Sequence, residues 1–311
     1  MSLWGAVRPH VKGPAQAITS LPPVRSLLRT INASPLLAEA SRHRFYVRVT
    51  RKAASDPRFV FSHDVPGGRT IRVHLDGTIR RLYWVGDYER EALPVFLAYA
   101  ADARGVLDIG AAEGAYSLFS AAVNPDAHIV AFEPSSVARP RLLANVAANP
   151  WIGDRLRVSE LALGDREGEA TFFQTIGGTS SLNEHFRAAT SSVSVQVAKG
   201  DRVVPELLGD VPVDLVKIDT ESTEPDVLAG LEAIVTRDRP PILCEVLKGR
   251  CEPELQVIVG RLGYRTWRLD GDGPRRFDTV VGNADVEWQN WLLLPDDDEP
   301  RSPWGPGGRS R

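Results

Sequence analysis

The chain has 311 residues, 43% of them hydrophobic and 25% charged, with a net charge of −3, the composition of an ordinary globular protein. That balance gives no whole-chain reason to expect nucleic acid binding, and two cysteines, Cys244 and Cys251, exclude a disulfide framework. No apolar run approaches the roughly 18 residues of a membrane-spanning helix, and no basic-then-apolar leader opens the chain, so a cytoplasmic protein is expected.

Residues 1–57 read as a basic, partly helical extension. Through residue 60 there are ten Lys or Arg against only Glu39 and Asp56. Val24 to Ile31 suggests a short helix, and Ser34-Pro35 an N-cap with proline at the first helical position. The apolar stripe after it, Leu36, Leu37, Ala40 and Val47, is short and lacks Trp or Phe anchors. A packed appendage is therefore preferred to a helix lying on an anionic membrane.

Residues 58–104 read as a β-hairpin and a lead-in helix. Thr70 to Leu75 alternates, Asp76-Gly77 supplies a turn, and Thr78 to Val85 is expected to return as the second strand. A helix is then expected through Leu93, Phe96, Leu97 and Ala100.

From residue 105 to 295 continuously apolar strands alternate with helices, the pattern of a parallel sheet covered on both faces. Strands are expected at 105–109, 128–133, 156–162, 213–219 and 240–246, with helices at 114–123, 136–148, 201–208 and 225–236. Residues 168–198 interrupt the alternation with two strand-like runs around a polar loop at 177–191. Residues 296–311 read as a disordered tail.

The chemistry centres on Asp108-Ile109-Gly110-Ala111-Ala112-Glu113-Gly114, a strand end running through a glycine turn into a helix. Gly110 permits the sharp turn, and Gly114 would let a ligand approach the helix N-terminus. Such a turn also serves connections that bind nothing. What separates the cases is Glu133, an acid ending the next apolar strand at the spacing of a ribose-binding carboxylate, so an adenosine-containing ligand is expected.

In order, the chain carries Asp108 to Gly114, Phe132-Glu133-Pro134, Asn145, Gly200-Asp201, Lys217-Ile218-Asp219-Thr220-Glu221-Ser222-Thr223-Glu224 and Glu245. This set, over about Tyr88 to Leu294, resembles the FkbM-type methyltransferase family. The family pattern has Asn where Ala112 stands and Gly-Ala where Ser222-Thr223 stands. The resemblance implies a class I Rossmann-like seven-stranded sheet with its last strand antiparallel, and S-adenosylmethionine as cofactor. Asp108, Gly110, Ala111 and Gly114 would lie along the methionine and ribose part, Glu133 and Pro134 at the ribose, Leu161 and Ala162 by the adenine, and Asp219 beside the methyl group. It further implies methylation of a hydroxyl on a sugar or polyketide-type acceptor.

Methyl transfer to a hydroxyl needs alignment and removal of a proton. Asp219 is the expected base, with Glu221 beside it and His185 of the 177–191 loop as the other candidate. Glu224 next to Pro225 equally suits a helix N-terminus. No complete metal ligand set is evident. The expected partner is a small-molecule acceptor, without nucleic acid; a homo-oligomer stays open. The rival readings are a cofactor-binding protein without activity and a nicotinamide-dependent oxidoreductase, the latter disfavoured because Gly110-x-x-x-Gly114 lacks the second glycine of the dinucleotide fingerprint.

Overall fold

The computed structural model describes residues 22–33, 56–86, 88–174, 180–183, 191–270, 273–283 and 289–301. In chain order the elements are α1 (Pro22–Ala33), β1 (Asp56–Asp64), β2 (Thr70–Leu75), α2 (Arg81–Trp84), α3 (Leu93–Ala100), β3 (Gly105–Ile109), α4 (Ala115–Val123), β4 (His128–Phe132) and α5 (Arg139–Ala147). Next come β5 (Leu156–Ser159), β6 (Ala162–Leu163), β7 (Gly168–Gln174), β8 (Ser180–Ser181), β9 (Ser191–Ala198), α6 (Gly200–Leu208), β10 (Leu215–Ile218) and α7 (Glu224–Gly230). The chain continues with α8 (Glu232–Asp238), β11 (Ile242–Glu245), α9 (Glu252–Leu262), β12 (Tyr264–Asp270), β13 (Gly273–Phe277) and β14 (Asn290–Pro295).

The main sheet has the order β13-β12-β14-β11-β10-β3-β4-β5. Its β5, β4, β3, β10 and β11 are mutually parallel, and β14 runs antiparallel between β11 and β12. Seven strands were expected; β13 adds an eighth at the edge, antiparallel to β12. Alternate side chains of the strands point to opposite faces. Val106, Ile129 and Leu215 join a core with β2, α3 and α4, whereas Leu107, Val130 and Val216 join one with α6 to α9. Both faces are thus covered, which is why these strands read as unbroken apolar runs.

Three expected elements take another form. Thr78 to Val85 is not a return strand: β2 pairs with β1, and 78–85 coils through α2. Ile79, Leu82 and Val85 are all buried, so the operative period is helical and the alternation was incidental. The third strand stops at Ser159, whose hydroxyl accepts the Leu161 N–H, and Ala162–Leu163 leaves to pair with β9 in a second sheet ordered β6-β9-β7-β8. The helix expected at 225–236 is two, α7 and α8, because Asp201 accepts the Ala233 and Ile234 N–H groups and starts a new helix there.

The proposed disorder after residue 295 is also corrected, for its first six residues. Arg301 donates to Ala98 O and to Asp102, and its guanidinium stacks on Tyr99. At the other end, α1 confirms the short helix and is tied on by Arg29, which donates to the Leu82 and Tyr83 carbonyls. The helix expected after Ser34-Pro35 lies outside the described residues, as does the rest of the tail. Among the described residues no helix is long and apolar enough to cross a membrane.

Candidate functional site

The glycine turn sits at the carboxyl edge of the sheet. Gly110 and Ala111 donate to Phe132 O, joining the ends of β3 and β4. Gly110 has φ +79°, and a Cβ there would lie 1.8 Å from the Asp219 carbonyl oxygen. Gly114 caps α4 at φ +82°, and a Cβ there would meet the Leu142 side chain at 3.0 Å. The sequence reading gave Gly114 the task of leaving room for a ligand; in the fold its left-handed conformation and the contact with α5 already require it. Gly114 has no side chain to cap α4, and Asp108 takes the Ser117 N–H of the first turn, so the remaining start of the helix lies at the edge where an anionic ligand group is favoured.

Asp108 is 2% exposed and accepts both the backbone N–H and the hydroxyl of Ser117, at 2.9 and 2.6 Å. Burial raises its pKa to about 6, against the opposing pull of Ser117 and Lys217. It pins the first turn of α4 to the sheet. Glu133, at the tip of β4, accepts the Ala112 N–H at 2.7 Å and the Ser135 N–H at 2.7 Å. Its carboxylate therefore ties the glycine turn to the start of the next loop. Pro134 follows it, half-buried, and Leu161 and Ala162 lie beyond, Ala162 being buried beside Val197 in the small sheet.

Burial raises the Glu133 pKa from 4.5 to about 7, despite those two N–H donors. Between these values the folded protein holds a proton that the unfolded chain has released, so stability falls as pH rises through that window. Glu133→Gln should flatten this part of the curve. Urea midpoints across the range measure it, and an unchanged slope in the variant would refute the assignment.

The second half of the site is the end of β10. Lys217 is 1% exposed inside the sheet, paired in register with Asp108. Its ammonium lies 3.1 Å from Asn290 Oδ1, 3.7 Å from Asp219 Oδ2, and over the Tyr116 ring. Burial works against its charge, but Asp219, Glu89 and Glu245 outweigh that and raise its proton affinity. Glu89 extends the network, accepting from the Tyr116 hydroxyl at 2.6 Å and Asn290 Nδ2 at 3.0 Å.

Carboxylate oxygens of Asp219, Glu221 and Glu245 lie within 4.8 Å of one another. Burial, with Asp219 and Glu221 alongside, pushes Glu245 well above the usual carboxylate range. One divalent cation would fit such a spacing, but Lys217 already places a fixed positive charge against the cluster. Glu224 is turned inward. Its Oε1 accepts the N–H groups of Thr220 and Ser222, each at 3.1 Å, and its Oε2 takes the Cys251 thiol at 3.3 Å. It holds the acid turn in shape and is the reason the turn is compact.

Glu221 and Ser222 have φ of +59° and +90°. Ser222 stands where the family pattern has glycine, and the backbone has kept the glycine conformation. Ser222→Gly should raise stability by roughly 1 kcal/mol, the relief of strain less the entropy of an added glycine. Chemical denaturation checks this; a loss of stability would overturn the strain reading.

The other departure from the pattern has a local explanation. Glu113 does not enter the ligand side of the turn. It is 4% exposed and accepts the Thr78 hydroxyl at 2.8 Å, with Arg141 at 3.7 Å. Asn145, to which sequence reasoning gave no role, accepts the His74 N–H at 2.9 Å and donates to Glu113 O at 2.9 Å. Asn149 brackets Arg72 in the same way, at 2.8 and 2.7 Å. Lys217 and Glu245 were missed as members of the site; the available signal was a lysine inside the apolar run Leu215 to Ile218. The fold brings Asp219, Glu221 and Glu245 together beside Gly110, with Asp108 and Glu133 around the same turn. His185 lies outside the described residues.

Residues 108–265 match the methyltransferase FkbM domain, half of the chain. The chain belongs to the FkbM methyltransferase family. The chain is 29% identical over 180 residues to the AMB antimetabolite synthetase AmbE of Pseudomonas aeruginosa, covering 45% of this chain and 8% of that protein. It is 27% identical over 150 residues to the 2-O-methyltransferase NoeI of Sinorhizobium fredii, covering 43% of this chain and 60% of that one. It thus spans less than two thirds of either relative. Among solved structures it is similar to the FkbM methyltransferase of Methylobacillus flagellatus, with 14% identity, TM-score 0.42 and coverage of 62% and 44% of the two chains.

Proposed function

We propose that the enzyme methylates a hydroxyl on a sugar or polyketide-type small molecule, with Asp219 as the base. The observation that carries this is the position of Asp219. The last hydrogen bond of the β3–β10 ladder, Asp219 N–H to Ile109 O, seats it against the glycine turn, and its side chain is 29% exposed. An accessible carboxylate beside a cofactor turn is what proton removal requires. The similar protein NoeI is a 2-O-methyltransferase, which points to the same reaction type.

The residues fit the cofactor. Gly110, Ala111 and Gly114 shape the turn that would receive the amino-acid end, and Asp108 fixes the start of α4 behind it. In this reading Glu133 and Pro134 take the ribose, and Leu161 and Ala162 the adenine. When bound, S-adenosylmethionine supplies a methyl group on a sulfonium. The chain aligns the acceptor oxygen, and Asp219 takes its proton. Glu221 shapes the entrance beside it.

Incubation of the full chain with labelled cofactor and a panel of glycosides and hydroxylated macrolactones tests the reading. Label on an acceptor oxygen is the expected result; label appearing only on nitrogen or carbon acceptors would refute it.

A further inference from the structure

Behind the acid turn is a cavity of about 210 Å³ between the small sheet and the start of α7. It is smaller than the roughly 300–1,000 Å³ of sites that enclose a drug-sized ligand, so it suits one ring-sized end of a molecule. Its floor is made by the buried Val197, Ser222 and Thr223, and its open side by the exposed Asp165, Arg166 and Asp226. Leu182 and Asn183 close one wall. That wall is fastened to the acid turn: the Ser181 hydroxyl donates to Glu221 O at 2.7 Å and accepts the Asn183 N–H at 3.0 Å.

Two features of this cavity point to a ligand. The Ser222 hydroxyl is buried, with the residue 7% exposed, and has no hydrogen-bond partner among the described residues. A buried hydroxyl left unpaired is costly, and a ligand group would satisfy it. Ser222 and Thr223 are also the two positions where this chain departs from the Gly-Ala of the family pattern. The departure adds two hydroxyls to the cavity floor while leaving the backbone in its glycine conformation.

We infer that this cavity holds a neutral sugar ring of the acceptor, with Ser222 and Thr223 selecting for it. This rests on the acceptor reading above and narrows it from polyketide surfaces to a glycosyl group. Hydroxyls and carboxylates can exchange hydrogen bonds with ring hydroxyls, while Val197 and Leu182 receive its C–H face. Two carboxylates against one guanidinium at the open side disfavour an anionic ligand such as a sugar phosphate. An apolar ring would leave the Ser222 hydroxyl unpaired. The ring is anchored three residues beyond Asp219, on the opposite end of one rigid turn.

The test is ligand-observed NMR titration of the full chain with the methyl glycosides of glucose, galactose, mannose, fucose and rhamnose, and with glucose 6-phosphate. The comparison is the double variant Ser222→Gly, Thr223→Ala. It restores the pattern residues, relieves the strained φ and removes no cap, since Thr223 makes no side-chain capping bond. At least one methyl glycoside should bind, at least about tenfold more weakly in the variant, and glucose 6-phosphate should not. S-adenosylhomocysteine binding by both proteins verifies that they are folded. The inference is overturned if no glycoside binds a protein that binds S-adenosylhomocysteine, if the variant binds equally well, or if the phosphate binds better. Glycoside binding without methyl transfer to any hydroxyl would sink the acceptor reading and leave the cavity assignment standing. Transfer to a hydroxyl with no glycoside binding would do the reverse.

Discussion

Asp219→Asn should keep its affinity for S-adenosylhomocysteine and lose at least about 100-fold in kcat. Asparagine keeps the shape and one acceptor, and the seating of residue 219 depends on its backbone N–H to Ile109 O, which the change does not touch. The side chain makes a 3.7 Å contact with Lys217, a spacing for long-range attraction more than for a strong hydrogen bond. Loss of that contact is a modest structural cost, whereas loss of the proton acceptor removes the step that activates the hydroxyl. Labelled methyl transfer under saturating cofactor separates the two. Near-normal turnover, with His185→Ala inactive, would place the base in the 177–191 loop.

Gly110→Ala should be among the most destabilising single changes in the chain, at roughly 3 kcal/mol or more. The residue sits at φ +79°, and the added methyl carbon would occupy a point 1.8 Å from a backbone oxygen of residue 219. Neither partner is a flexible side chain, so the strands β3 and β10 would have to separate. Gly114→Ala, at a similar φ, meets the Cγ of the buried Leu142 at 3.0 Å, a contact relieved by a shift of a few tenths of an ångström. It should cost about 1–2 kcal/mol, chiefly the left-handed conformation. In thermal denaturation the two should differ by several degrees; equal shifts would mean that the contact with Asp219 is looser than described.

The parallel half of the sheet was legible because each of its strands is buried on both faces, and an unbroken apolar run such as Val106-Leu107 or Ile129 to Phe132 has few other uses. The segment at 78–85 misled because Thr78, Arg80 and Tyr83 alternate with apolar neighbours while Ile79, Leu82 and Val85 also keep a helical spacing. Packing chose the second pattern. At the site, residues adjacent in sequence were readable: the glycine turn, Glu133 and Asp219. The partners that come from far away were not. Thr78 meets Glu113 across 35 positions, and Glu89 meets Asn290 across 201. Ser222 was legible in kind, as a departure from glycine, but its backbone conformation was visible only in the fold.

Asn145 of α5 and Asn149 just beyond it have a practical meaning for where this protein can be cut. A fragment drawn at the matched family boundary, or at Gly105, would lack β2. Asn145 and Asn149 would then each lose partners at positions 74 and 72, and Glu113 would lose Thr78. Ile71 and Val73, both fully buried, would leave an uncovered apolar face, a loss of about 1.5–3 kcal/mol for each side chain. The autonomous unit therefore begins no later than Asp56, and an expression clone trimmed inside that limit should yield aggregated chain.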